Sequence, residues 1–153
     1  MKRLLLWLLW AQPLRACPFD LHLWLELRPT PEYSQCFRLE VDQTFGSTAR
    51  YRLECPGLPD REGEMTIQES RRFWQSLENA GVWELCDDDE GGAESCLYYT
   101  RFDLSRGDSH QESRWRGLGK APGRVAQVML EQPWSQGLAA GLNWVQSKKR
   151  GDN

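Results

Sequence analysis

Histidine is scarce in this 153-residue chain: His22 and His110 are the only two. Neither stands in an H-E-x-x-H arrangement or at any other paired metal-ligand spacing, so the sequence offers no metal site. A G-x-S-x-G elbow, a phosphate-binding loop and a dinucleotide fingerprint are all missing. Hydrolytic and nucleotide chemistry thus has little to work with, and the expectation is a protein that is not an enzyme and needs no cofactor. Paired carboxylates could serve glycosidic chemistry, but 22 acidic residues supply such pairs by chance. No apolar run approaches the roughly 20 residues of a membrane-spanning helix. There is no repeat of solenoid length and no long low-complexity tract.

What the chain does have, at its start, is an export pattern. Lys2 and Arg3 are followed by the uncharged apolar run Leu4 to Ala11, then by Leu14-Arg15-Ala16 before Cys17. Pro13 and Arg15 close the run, which predicts a cleaved signal over 1–16 rather than a permanent anchor. The tetrad Leu14-Arg15-Ala16-Cys17 resembles a bacterial lipobox, although Arg15 stands where a small or β-branched residue is usual. The resemblance implies lipidation at Cys17 as the first mature residue; the alternative is ordinary signal cleavage that leaves a fifth thiol free or linked to a partner. Removing Lys2, Arg3 and Arg15 from the 19 basic residues leaves 16 against 22 acidic ones, a net charge of −6. Such a balance argues against nucleic acid and against electrostatic attachment to anionic lipid, so any membrane attachment would be by lipid alone.

Cysteine parity points the same way. Five cysteines leave one unpaired, and setting Cys17 aside leaves Cys36, Cys55, Cys86 and Cys96, an even set suited to two disulfides in an oxidising compartment. Cys86 and Cys96 flank a polar loop and are the expected pair. Cys36 and Cys55 are the remaining pair, but the hairpin register that matches Phe37, Leu39 and Val41 with Tyr51 and Leu53 sends their thiols to opposite faces unless a bulge intervenes.

Residues 17–147 are the length of one domain, followed by a basic and polar tail over 148–153. Phe19, Leu21, Leu23, Leu25 and Leu27 alternate with Asp20, His22, Trp24, Glu26 and Arg28, a period of two that only a strand can use. Phe37, Leu39 and Val41, then Ala49, Tyr51, Leu53 and Cys55, predict two more strands of an antiparallel meander with a wet face of Arg38, Glu40, Arg50, Arg52 and Glu54. Pro56 to Glu64 reads as a loop. Thr66-Ile67-Gln68-Glu69 is a capping box opening a helix whose apolar stripe is Ile67, Phe73, Trp74, Leu77 and Ala80, closed at Gly81. Cys96 to Leu104 and Ser109 to Arg116 form a hairpin with Arg106-Gly107 at its tip, putting Arg101 opposite Glu112 and Asp103 opposite His110. A short helix over 124–132 ends at Pro133, and Trp134, Leu138, Leu142 and Val145 mark a C-terminal helix. The fold class is α+β: an antiparallel sheet, meander plus hairpin, packed against a central helix and a C-terminal helical segment.

Binding is the function class these features favour. Trp24 is placed by alternation among charged residues on the face opposite the leucines, where the C-terminal helix covers it or it serves as an anchor. Trp74 and Trp83 flank the helix end and are expected to pack. Arg106-Gly107-Asp108 resembles the integrin-recognition tripeptide on an exposed turn, and the same triplet recurs at Arg150-Gly151-Asp152. Asp87 to Gly92 has clustered oxygens but no EF-hand spacing, and reads as a solvated loop. The leading expectation is a non-enzymatic bacterial envelope or secreted protein, a lipoprotein, that binds another protein or an envelope component. The alternative is a cytosolic inhibitor or immunity-type protein that retains its N-terminal segment, since Phe73 to Leu85 followed by a hairpin and a closing helix shares that layout. Adhesion through the Arg-Gly-Asp turn is third.

Overall fold

The structure, a computed structural model, describes residues 20–44, 46–85, 99–116 and 123–151. The signal segment, Cys17, the polar loop with Cys86 and Cys96, and Asp152 lie outside the described residues.

Strands β1 (Leu21–Arg28), β2 (Phe37–Gln43), β3 (Ala49–Glu54) and β4 (Arg61–Met65) precede helix α1 (Ile67–Asn79) and a single 3₁₀ turn (Val82–Glu84). Strands β5 (Tyr99–Arg106) and β6 (Ser109–Arg116), then helices α2 (Gly123–Leu130) and α3 (Ser135–Arg150), complete the chain. The α+β class stands. All six strands join one antiparallel sheet in the order β4-β3-β2-β1-β5-β6, so the hairpin adds to the free edge of β1 and makes β1 central.

Period two decides the layering. Leu23, Leu25 and Leu27 of β1, Phe37, Leu39 and Val41 of β2, and Phe102 and Leu104 of β5 point to one side and are buried. All three helices pack on that side. Val125, Ala126 and Met129 of α2 lie with Leu25, Leu27, Phe102 and Trp115, while Trp134 at the start of α3 meets Tyr51 and Phe73 edge-on. Helix α3 lies close because it presents glycine to the sheet: a Cβ on Gly141 would come within 2.3 Å of the Phe37 ring, and one on Gly137 within 2.7 Å of Leu53.

Helix α1 starts on the capping box. The Glu69 amide donates to Thr66 Oγ1 at 3.2 Å and the Thr66 amide donates to Glu69 Oε2 at 2.8 Å. These bonds favour the carboxylate and hold the Glu69 pKa below its ordinary value. Gly81 takes the left-handed conformation, φ +79°, that lets Val82 and Leu85 return to the core.

Three local expectations need correction. Ile67 does not join the stripe of α1; it is the first helical residue, half exposed, and Ser70, Phe73 and Leu77 are the buried ones. The second half of the 56–64 loop is a strand. Strand β4 has no apolar alternation and forms by pairing with β3, where Gly63 leaves room for the Tyr51 ring across it. Finally, the β5–β6 turn is Gly107-Asp108, not Arg106-Gly107, so Arg101 faces Arg114 and Asp103 faces Glu112. Gly107 has φ +55° and no other residue type among those described has positive φ, the pattern of a glycine-first hairpin turn. A shift of two keeps every side chain on its face, and the foreseen ion pairs survive diagonally, Arg101–Glu112 at 3.3 Å and His110–Asp103 at 2.9 Å. Arg114 also reaches Glu112, at 2.8 Å, so one carboxylate offsets two facing guanidiniums and its pKa is lowered, first by the Arg114 hydrogen bond.

Candidate functional site

The sheet face opposite the helices carries the charged half of each strand. Reading across the register gives three rows. The middle one runs Glu62, Arg52, Glu40, Trp24, Asp103, Glu112; beside it lie Glu64, Arg50, Asp42, His22, Ser105, His110, and on the other side Glu54, Arg38, Glu26, Arg101, Arg114. Arginine faces carboxylate across β4, β3 and β2, whereas across β5 and β6 like charges face each other, Asp103 with Glu112 and Arg101 with Arg114; every permanent cation in the rows is an arginine, whose planar fork suits carboxylate pairing.

Trp24 sits in the middle row on the central strand, between Glu40 and Asp103. It is partly exposed, with the Arg38 guanidinium 5.6 Å from its ring centroid, a cation–π contact. Helix α3 lies on the opposite side of the sheet, so the C-terminal helix does not cover it. The other described tryptophans behave differently: Trp115 and Trp134 belong to the core, and Trp74, Trp83 and Trp144 pack against it. Packing is therefore the role of Trp74 and Trp83, and the Trp74 indole N–H also donates to Gln43 Oε1 at 2.8 Å. Next to Trp24, Glu26 is a nearly buried carboxylate held by Arg28 at 2.5 Å, and Arg28 in turn donates to the Tyr33 carbonyl. This network pins the connection between β1 and β2 beneath the row.

The register also assembles a group that sequence spacing hides. His22 is directly across from Asp42, with Nδ1 2.5 Å from Asp42 Oδ1, and Glu40 Oε1 is 4.0 Å away on the diagonal. The three donor atoms lie within 4.8 Å of one another. The only signal for this group in the sequence is the shared parity of the outward residues on β1 and β2; the pairing itself spans 20 residues. A groove of about 450 Å³ begins at Glu40 and Asp42 and runs over Arg50 and Arg52 to Glu62 and Glu64. Side-chain exposures of 37% for His22, 36% for Glu40 and 55% for Asp42 leave the group open to solvent. It is not the water-excluding pocket that acid–base catalysis uses.

The Arg-Gly-Asp turn is tied to its own domain. Arg106 forms an ion pair with Glu78 of α1, and the Gly107 amide donates to the Asp20 carbonyl at 3.0 Å. Adhesion through this turn would require that ion pair to open, leaving only Asp108 freely presented. In the second triplet, α3 continues through Arg150, so the basic residues from 148 to 150 form its last turn. Among the described residues no helix is long and apolar enough to cross a membrane.

Cys36 and Cys55 are free thiols, which corrects the expectation of a bridge between them. The pairing of Arg38 with Glu54 sets Cys55 level with Phe37, one residue out of step with Cys36. Cys55 packs on the core side, whereas Cys36 lies near Glu26 and Arg38 on the open side. Burial pushes both thiol pKa values up, so both are held as thiols rather than thiolates at neutral pH. The parity argument for an oxidising compartment thereby loses one of its two bridges. Compared with known proteins, the chain matches no protein-family model and no curated protein.

Proposed function

We propose that this chain is an exported, non-enzymatic binding domain that docks a protein partner on the open face of its sheet, with Trp24 as the anchor. One observation carries the reading: Trp24 alone among the described tryptophans stands outside the core, at the centre of a face no described helix covers. A large amphipathic ring surrounded by polar residues is the composition of an interface hot spot. The occupant is a protein surface of mixed charge. Rows of arginine and carboxylate complement such a surface and mismatch the uniformly negative backbone of nucleic acid.

Trp24→Ala is expected to remove about 2 kcal/mol of binding, roughly a thirtyfold loss of affinity. Its stability cost is about 1 kcal/mol, since the ring is part-buried under Arg38. Immobilised wild-type chain should retain a discrete protein from an extract of its native host, Trp24→Ala should retain about thirtyfold less, and Gln75→Ala on the helix side should retain the wild-type amount. Equal retention by Trp24→Ala contradicts the reading.

Export rests on the signal pattern of residues 1–16 and the lipobox-like Leu14-Arg15-Ala16-Cys17. The cytosolic inhibitor or immunity-type reading has one observation in its favour, the free thiols Cys36 and Cys55, which suit a reducing compartment. Intact mass of the chain from its native host separates the two. Export predicts a chain that lacks Met1 to Ala16, and lipidation adds the mass of a lipid at Cys17; retention of Met1 to Ala16 would overturn export.

A further inference from the structure

We infer that His22, Glu40 and Asp42 form a binding site for a borderline divalent cation of the zinc class. Each of the other carboxylates in the three rows has an arginine partner: Glu26 with Arg28, Glu54 with Arg38 and Arg52, Glu62 with Arg52, Glu64 with Arg50, Asp103 with Arg101, and Glu112 with Arg101 and Arg114. Glu40 and Asp42 have none among the described residues. This is not for want of neighbours, because Arg52 is directly opposite Glu40 and Arg50 directly opposite Asp42. Both guanidiniums turn away, Arg52 to Asp60 at 2.9 Å and Arg50 to Glu64 at 3.1 Å. Two carboxylates are thus aimed at one imidazole and deprived of the counter-charge that every neighbour enjoys. A dication supplies it.

The donor set names the class of ion. One imidazole nitrogen with two carboxylate oxygens is a mixed set that zinc accepts, whereas calcium and magnesium take oxygen ligands throughout. Ligand atoms around a tetrahedral zinc at about 2.0–2.2 Å stand roughly 3.3–3.6 Å apart. The observed separations from His22 Nδ1, 2.5 Å to Asp42 and 4.0 Å to Glu40, bracket that span, and all three donor atoms lie within 4.8 Å of one another. The backbone positions come from paired strands in the middle of the sheet, which hold ligands more firmly than a loop does. In the bound form Nδ1 gives its lone pair to the metal and the ring proton resides on Nε2. Three protein ligands leave the fourth position for water or for a donor from outside.

The test is calorimetric titration of zinc chloride into tag-free full-length chain at about pH 7.5. The expected result is that His22→Gln and Asp42→Asn each weaken one equivalent of zinc by at least about tenfold. His110→Gln, whose imidazole pairs instead with Asp103, should bind as wild type. Far-UV circular dichroism of each variant confirms that it is folded. Zinc bound equally by folded His22→Gln and wild type, as binding to thiols would give, overturns the site, as does a wild-type chain that takes up no zinc. No partner is present in the titration, so its outcome is independent of the docking reading.

Discussion

Trp134→Ala lowers the free energy of unfolding by about 3–5 kcal/mol, measured by urea denaturation followed by far-UV circular dichroism. Trp134 is among the largest fully buried side chains, and it joins three parts of the molecule at once. Its ring meets Tyr51 of β3 at 5.4 Å and Phe73 of α1 at 5.0 Å, both edge-on, while its carbonyl accepts from the Leu138 amide in the first turn of α3. Truncation leaves a cavity where β3, α1 and α3 converge, and none of the three can collapse into it without parting from the other two. Trp134→Phe should lose less than half as much. An aromatic ring remains between Tyr51 and Phe73, and the buried indole N–H, which has no hydrogen-bond partner among the described residues, is removed. Equal losses for the two variants would show that a ring retained between Tyr51 and Phe73 contributes nothing to stability.

Gly141→Leu is the second large effect, with an expected loss of about 3 kcal/mol from overpacking. Glycine within a helix ordinarily costs about 1 kcal/mol relative to alanine, so a substitution governed by helix propensity would stabilise α3. Here the Cβ would enter the Phe37 ring, which is wholly buried on the second strand of the sheet and cannot turn aside. Gly141→Ala separates the two influences, since it regains the propensity and introduces only one methyl group. It too should be destabilising, by about 1 kcal/mol, and a more stable Gly141→Ala would mean that α3 stands farther from the sheet than described. At Gly151, at the end of α3, an added Cβ would meet only carbonyl oxygens at 3.7 Å or more, so no such obstacle exists there.

Much of this architecture is legible in the chain. The alternation from Leu21 to Arg28 is strict because a sheet with helices on one side sorts each strand by polarity, and the same pattern recovers β2, β3 and β5. The Thr66 to Glu69 capping box is equally direct, because it is a local hydrogen-bonding device that needs no tertiary partner. Strand β4 is hidden for the opposite reason. Arg-Glu-Gly-Glu-Met has no strand pattern of its own and is ordered by pairing with β3. Residue pattern alone puts the hairpin tip one residue early because both placements keep side-chain parity, and only the positive φ of Gly107 at the first central position separates them. Gly137 and Gly141 give no signal, since a glycine reads as a weakened helix until the helix is seen against a sheet.

The candidate site divides along the same line. Trp24 is legible because it breaks the polarity of its own face. His22, Glu40 and Asp42 are not, because their proximity depends on the pairing of His22 with Asp42 across β1 and β2, which residue spacing does not encode. The Arg-Gly-Asp triplet is visible as a motif, yet its engagement by Glu78, 28 residues away, decides what it can offer.

Which face of the sheet a partner touches is the central question, and site-specific photo-crosslinking in the native host answers it most directly. A photo-reactive residue in place of Ser105, beside His22 in the open rows, should give a discrete adduct with a second protein that Trp24→Ala abolishes. The same group in place of Gln75 on α1 or Gln127 on α2 should give none. Adducts from Gln75 or Gln127 that survive Trp24→Ala, with none from Ser105, would contradict the account and move the binding surface to the helical side.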